Sequence, residues 1–496
     1  MNKHLSLLML LLPFLAKAQN PVIRDQYSAD PTARVFNDKV YLYPSHDILP
    51  PEGVESCKDW FCMEDYHVFS SENLTQWTDH GVIVSQNKIP WAQKDNYSMW
   101  APDCVYKDGK YYFYFPTISN STGYMHVGVA IADHPEGPFI PEPQPINGII
   151  GTDPNVLLAS DGNAYIFWSN ARGAKLDSNM KELAKDSPKE KITFGDFQIE
   201  LVGTGLIKNL PNNQAEGTFV FEKDGNYYLT YPYVREDTEV LGYAMSKNPL
   251  GPYEYKGLIM AEHANGCWTN HHSIIKYKGQ WYLFYHHNAF SPNDDKRRSV
   301  QIEKLFFNPD GTIQEVKETM RGVGINQATE QIEIDRYSNA SEDVTTDLID
   351  VNNPFLSYQA TLPAKGSWLK YNDVDFDCIE NGDLITNVNA ADDAKFCIRE
   401  GSEKGKIIAC IDMKMSNQWI TQTVTMEYVP KGVIDLVVTN ENGGTFSIDW
   451  VKFINSNNDL DNEAEDEVED VTADIETEYD SASEDTEDTD DLDDEL

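Results

Sequence analysis

The sequence predicts an all-β protein: a five-bladed β-propeller, then a β-sandwich of jelly-roll type, then a disordered acidic tail. Three observations lead there. First, one pattern recurs five times, a polar or aromatic residue, a β-branched run, a tight turn and a burst of aromatics. The copies are DPTARVFNDKVYLYPSH from Asp30, WAPDCVYKDGKYYFYF from Trp100, DPNVLLASDGNAYIFWS from Asp153, EGTFVFEKDGNYYLTYPY from Glu216 and NHHSIIKYKGQWYLFYHH from Asn270. Second, residues 330–455 alternate polar and apolar in strand fashion, as in a sandwich. Third, from Asp459 to Leu496 there are 21 Asp and Glu and no Lys or Arg, too little apolar content to offset chain entropy.

In chain order, MNKHLSLLMLLLPFLAKAQ places Lys3 before an apolar run from Leu5 to Leu15 and ends in Ala16-Lys17-Ala18. This reads as a secretory signal cut after Ala18, so a secreted or periplasmic product is expected. The run is short for a bilayer and no later stretch is longer, so no membrane insertion is expected. Residues 19–326 carry the propeller. Each repeat is two strand-forming runs around a turn such as Asp108-Gly109, Asp161-Gly162 or Asp224-Gly225, a β-hairpin signal. Repeats of strand-rich units every roughly 50–70 residues point to radial repetition of four-stranded sheets. Segments such as 67–84, 128–139 and 242–255 supply the outer strands, and Lys181–Lys191 reads as a short helical insertion. The sandwich takes 327–455 and the tail 456–496.

Aligning the hairpins on Tyr41, Tyr112, Tyr165, Tyr228 and Tyr282 puts Trp100, Asp153, Glu216 and Asn270 twelve positions upstream and Asp30 eleven. Strands in equivalent register converge on a propeller's axis, so three carboxylates and a tryptophan should ring one pocket. The net charge is −42, half of it in the tail, which argues against a nucleic-acid partner. Seven cysteines lack paired CxxC spacing; Cys57 and Cys62 could close a short loop, and the odd count leaves at least one thiol.

Read together, DPT at Asp30, SHD at Ser45, WAPD at Trp100, TDPNV at Thr152, AEGTF at Ala215, WTNHHSI at Trp268 and RRSVQI at Arg297 occur in the order seen in family 43 glycoside hydrolases, which this stretch resembles. The resemblance implies a five-bladed propeller that hydrolyses glycosides with inversion. It implies Asp30 as general base, Glu216 as general acid and Asp153 as the group that raises the acid's pKa. Such chemistry needs an acid on the leaving oxygen and a base for water on the opposite face, with carboxyls about 6.5–9.5 Å apart. Trp100 offers a stacking face to the sugar. Arg298 would bond a substrate hydroxyl or the base, or else form a surface ion pair. His272 matches a histidine that relatives place by a calcium ion or water cluster, although a core histidine satisfied by hydrogen bonds reads as well.

Beyond the propeller, IEIDRYS, SWLKY, GVIDLVV and FSIDWVKF occur in an order similar to a family 6 carbohydrate-binding module. There Trp419 would stack on a sugar, with Tyr358 as the facing aromatic, and Glu333 and Asp449 would lie near a structural calcium. No organic cofactor is implied. The expected substrates are plant cell-wall polysaccharides, arabinoxylan, xylan or arabinan, with release of α-L-arabinofuranose or β-D-xylose. Alternatives are an endo-acting arabinanase of the same fold and an inactive polysaccharide-binding protein. Retaining fructoside hydrolases, which share the five-bladed plan, are disfavoured because Ala29 rather than Asn precedes Asp30.

Overall fold

Four of the five hairpins close through two-residue turns with both residues at positive φ: Asn37-Asp38, Asp108-Gly109, Asp224-Gly225 and Lys278-Gly279. That geometry matches the right-handed twist of the strands it joins. The computed structural model describes residues 19–456 apart from 188, 195, 196, 203, 209–215, 264–266, 292, 293, 354–357 and 417; of 189–205 and 207–208 only the backbone is described. The expected signal peptide and nearly all of the acidic tail lie outside the described residues.

Five sheets follow one another. Blade one is β1 (Ala29–Phe36), β2 (Lys39–Ser45), β3 (Asp65–Ser71) and β4 (Thr78–Ser85). Blade two is β5 (Asp103–Lys107), β6 (Lys110–Ile118), β7 (Met125–Ala132) and β8 (Ile140–Pro141). Blade three has β9 (Asn155–Leu158), β10 (Ala164–Trp168) and β11 (Arg172–Lys175), then an inserted hairpin, β12 (Lys189–Phe194) and β13 (Phe197–Val202), before its edge strand β14 (Thr204–Gly205). Blade four is β16 (Phe219–Lys223), β17 (Asn226–Arg235), β18 (Thr238–Ser246) and β19 (Tyr253–Met260), edged by the short parallel strand β15 (Ile207–Lys208). Blade five is β20 (His272–Tyr277), β21 (Gln280–His287) and β22 (Ser299–Leu305). The N-terminal segment runs along β22, with Val22 N–H donating to Val300 O (2.9 Å) and Ser28 N–H to Arg298 O (2.8 Å).

Among the described residues of Lys181–Lys191 the expected helical insertion is not found. Turns occupy 181–187 and the chain enters β12 at Lys189. Pro188 disfavours helix in the residue before it, and the apolar alternation that follows pairs as a hairpin. The one helix among the described residues is a 3₁₀ turn, Gln86–Lys88, and none there is long and apolar enough to cross a membrane.

The aromatic bursts have a packing reason. Successive strand residues face opposite sides of a sheet, and each side of a blade meets a neighbouring blade. Phe113 therefore packs with Tyr43 of blade one, whereas Tyr114 packs toward Trp168 of blade three. Phe167 joins Tyr231, Tyr228 joins Tyr285, and Phe284 meets Leu42, which closes the circle of apolar layers.

Polar bonds near the axis close a second circle. Ser273 Oγ accepts from Ala33 N–H (2.9 Å), and Arg34 forks onto Asp103 (2.9 and 2.6 Å). Asp103 also accepts from Val156 N–H (2.6 Å) and Asn155 (3.1 Å), Asn155 Oδ1 accepts from Val220 N–H (2.8 Å), and Thr230 meets His272 Nε2 (2.6 Å).

The chain enters the second domain at β23 (Asn326–Gln327), which pairs with the strand Trp368–Asp375. Two six-stranded sheets face each other. One is built on Trp368–Asp375, Val433–Asn440, Ala394–Glu400 and Ile407–Met413; the other on Thr345–Leu348, Tyr358–Leu362, Phe446–Asn455, Gly382–Ala390 and Ile420–Thr425. The core between them holds Phe376, Phe396, Phe446, Leu384 and Phe453. The sandwich leans on the propeller through Tyr358, whose hydroxyl donates to Ala289 O, and through Arg336 Nη1, which donates to Asn20 O (2.9 Å). Tyr358 is thus a domain-contact residue and cannot be the aromatic facing Trp419.

Asp103→Ala should destabilise the propeller by about 3–5 kcal/mol, because it strips Arg34, Val156 and Asn155 of a shared buried acceptor. Urea unfolding followed by tryptophan fluorescence would measure this.

Candidate active site

All five register-equivalent residues, Asp30, Trp100, Asp153, Glu216 and Asn270, line one pocket, with Arg298, His271, His286, Thr152 and the aromatic residues Trp60, Phe61 and Trp268. The repeat alignment holds in the strand pairing. Tyr41, Tyr112, Tyr165, Tyr228 and Tyr282 lie across from Arg34, Val105, Leu157, Phe221 and Ile275, each four or five residues beyond its pocket residue.

Asp30 sits in β1 where the register shifts between Ala29 and Thr32, at φ 44°. A bulge re-aims a side chain that would otherwise follow the pleat, and Asp tolerates left-handed backbone better than most residues. Asp30 N–H donates to His286 Nδ1 (3.1 Å), and Arg298 Nη1 donates to Asp30 Oδ1 (2.8 Å). Arg298 is itself clamped by Asp47, through Nε (2.9 Å), Nη2 (2.9 Å) and its backbone N–H (2.8 Å). It is buried and paired, not a surface ion pair. Burial alone would raise the Asp30 carboxyl. The Arg298 guanidinium, helped by His286 and His271, overcomes this and holds it well below the usual carboxylate range. Asp30 is therefore a carboxylate at any ordinary pH.

Asp153 also has positive φ (56°) and is buried. Its Oδ2 accepts from Thr152 Oγ1 (3.0 Å) and from Gly217 N–H (3.1 Å), the residue after Glu216. Burial pushes its carboxyl up to about 6, with His271 pulling down and Glu216 adding repulsion. Glu216 stands exposed at the mouth. Gly217 has to be glycine: its φ is +50°, and a Cβ would lie 2.9 Å from both Pro232 Cγ and His271 Nδ1.

A fourth carboxyl escaped the sequence reading. Glu239, on β18, is buried, accepts from Asn270 N–H (2.7 Å) and hydrogen-bonds the Glu216 side chain. Burial, then Glu216, push it up to about 10, so it is neutral near pH 7. Asp47, His271 and His286 were also missed as site residues. The SHD, NHH and YHH letters contain them, but only tertiary contacts give them partners.

Trp100 is half-buried, with Phe61 edge-on at 6.5 Å. His272 faces away from the pocket into the axial network; its Nε2 meets Thr230 and its Nδ1 is buried without a partner among the described residues. Among the described residues, no cluster of three or more His, Cys, Asp or Glu ligands includes His272. In the sandwich the fit is better. Glu333 and Asp449, joined by Asp335, bring carboxylate oxygens within 4.8 Å of one another, all buried. Trp419 is half-exposed just before the strand Ile420–Thr425.

Arg298→Met would leave Asp30 and Asp47 buried without their cation, at a cost of about 3–5 kcal/mol at pH 7. A depressed carboxylate stabilises above its unfolded pKa of about 3.9 and loses that contribution as pH falls toward its folded value. The gap between wild type and variant in urea unfolding should therefore narrow below about pH 4.

The family model for glycosyl hydrolases family 43 matches residues 18–313, and that for carbohydrate binding module (family 6) matches 337–455. Xylosidase/arabinosidase 43A of Humicola insolens is 37% identical over 327 residues, 59% of this chain and 98% of that protein. A β-xylosidase of Xylanibacter ruminicola is 36% identical over 324 residues, 60% of this chain and 98% of its own. A crystal structure of a family 43 β-xylosidase/α-arabinofuranosidase from a compost microbial metagenome, in complex with xylotriose, shares 32% identity, covers 61% of this chain and 98% of its own, and superposes with a TM-score of 0.52. Pocket, propeller and a family match over more than half of the chain agree: the protein belongs to glycoside hydrolase family 43, with a stretch matching a family 6 carbohydrate-binding module behind its propeller.

Proposed function

We propose that the protein is an exported, inverting glycosidase that removes terminal β-D-xylosyl or α-L-arabinofuranosyl residues from hemicellulose such as arabinoxylan. The observation that carries this is the division of labour among the carboxyls. Asp30 is charged and anchored by Arg298, whereas Glu216 stands at the mouth between Asp153 and the neutral Glu239. In the proposed reaction Glu216 protonates the glycosidic oxygen as the C1–O bond breaks. Asp30 takes a proton from the water that attacks C1 from the opposite face. Asp153 keeps the acid's proton in place through its charge and fixes the acid's loop through Gly217. Trp100 presents a ring to the sugar, and Arg298 keeps the base ionised.

A pocket walled by Trp60, Phe61, Trp100 and Trp268 suits a chain end rather than a chain passing through. Two relatives are named for xylosidase and arabinosidase activities, which favours these pentoses. Export is supported by two disulfides, Cys57–Cys62 and Cys397–Cys410, since such bonds persist in oxidising compartments. In the sandwich, Glu333, Asp335 and Asp449 would hold a structural calcium and Trp419 would stack on polysaccharide.

Glu216→Gln and Asp30→Asn should each lower pentose release by about 10²–10⁴-fold with the fold kept. Assay with 4-nitrophenyl β-D-xyloside and α-L-arabinofuranoside and with arabinoxylan, reading the first-formed anomer by NMR, would check this. Retention of configuration, or internal cleavage of arabinan without monosaccharide release, would overturn the reading.

A further inference from the structure

Outside the catalytic pocket, blade one gathers two histidines and two carboxylates that have no part in the chemistry above. His46 Nδ1 lies 2.7 Å from Asp65 Oδ1, and His67 Nδ1 lies 3.1 Å from both carboxylate oxygens of Asp79. The two imidazoles meet edge to face, with ring centroids 5.0 Å apart at 69°. One donor atom from each of His46, Asp65 and His67 falls within 4.8 Å of the others. Asp65 and His67 are two positions apart on β3, so both leave the sheet on one face, while Tyr66 and Val68 are buried on the other. Stacking on Phe69 (6.1 Å, 17°) further fixes the His67 ring. The cluster is neither loose nor sealed. The side chains of His46, Asp65 and His67 are 19%, 13% and 16% exposed, so an ion can reach them from solvent.

Ordinary ion pairing is a weak reason for this arrangement. Half-exposed pairs contribute little to stability, and pairing alone does not call for two such pairs to be brought into contact. The donor set points to a metal ion. Imidazole nitrogen with carboxylate oxygen suits zinc and its neighbours in the first transition row, whereas calcium and magnesium take oxygen ligands. A metal-bound histidine characteristically donates its other ring N–H to a carboxylate. Asp79 stands in that relation to His67, which leaves His67 Nε2 for the ion. The other histidine cluster, His263 with His287 and Glu318, lacks this outer support, since His263 Nε2 and His287 Nδ1 are buried without a partner among the described residues.

The position of the cluster gives an ion something to do. The chain leaves β2 just before His46 and enters β3 at Asp65, so these two side chains mark the two roots of the 47–64 loop. That loop supplies Trp60, Phe61 and Met63 to the pocket wall, and its first residue, Asp47, clamps Arg298. We infer that His46, Asp65 and His67 form a site for a zinc-type divalent cation, with Asp79 as the outer carboxylate and water completing the coordination. The bound ion ties the two roots of the loop together. It touches no reacting atom and holds one wall of the pocket from outside.

The test uses the full chain, untagged and dialysed against EDTA, titrated with Co²⁺ for its visible ligand-field bands and with Zn²⁺ in competition. The wild type should bind both ions. His46→Gln and His67→Gln should each abolish the cobalt spectrum, and His263→Gln should leave it unchanged. Asp79→Asn should weaken binding about 10–100-fold, as expected for loss of an outer-shell partner. Asp79 is exposed, so this variant reads the site even where a ligand variant folds poorly. Amide hydrogen exchange across 47–64 should slow about tenfold when Zn²⁺ is added to the wild type, and should not respond in His67→Gln. Absence of a cobalt spectrum, or a spectrum that survives both ligand substitutions, would overturn the site. Binding that leaves exchange in the loop unchanged would overturn its role there.

Discussion

The structure depends on the circle of buried hydrogen bonds around the propeller axis. First strands of the five blades meet there through polar side chains such as Ser273, Arg34, Asp103 and Asn155, and apolar packing alone does not set their register. Asp103 is the centre of that circle, since it receives Arg34 from blade one and Val156 and Asn155 from blade three. Such a buried pair contributes specificity more surely than stability. Its partners permit one stagger of each blade against the next. Because Asp30 is four residues before Arg34 and Asp153 two before Asn155, the same circle sets where the carboxyls emerge.

The pocket built on that frame concentrates negative charge. Asp30, Asp47, Asp153, Glu216 and Glu239 crowd a small volume, and ionising all of them together would be costly. The fold divides the load in three ways. Arg298 balances Asp30 and Asp47, burial leaves Glu239 protonated, and Asp153 is pushed up to about 6. One carboxylate is left permanently charged while others nearby can carry protons, the asymmetry that acid–base chemistry requires. Positive φ at Asp30 and Asp153 stores backbone strain at the same two places, which the surrounding strands over-determine.

Much of this was legible in the chain. Five hairpins, their aromatic alternation and the common register of Asp30, Trp100, Asp153 and Glu216 follow from strand period and turn chemistry, which are local. The same letters misled at Lys181–Lys191, where pairing with a later segment outweighed local helix propensity. Tyr358 was misplaced for a related reason: nothing near it in sequence says that Ala289 will meet its hydroxyl.

By itself, then, the sequence determined the architecture of repeats and which end of each repeat faces the axis, because both depend on neighbours a few residues apart. Only the tertiary structure decided which partners the site residues would have. Arg298 reaches Asp30 across 268 residues, Asp47 across 251, and Glu239 finds Asn270 across 31. Protonation depends on burial and on charges within a few ångströms, and those distances exist only once the blades have closed.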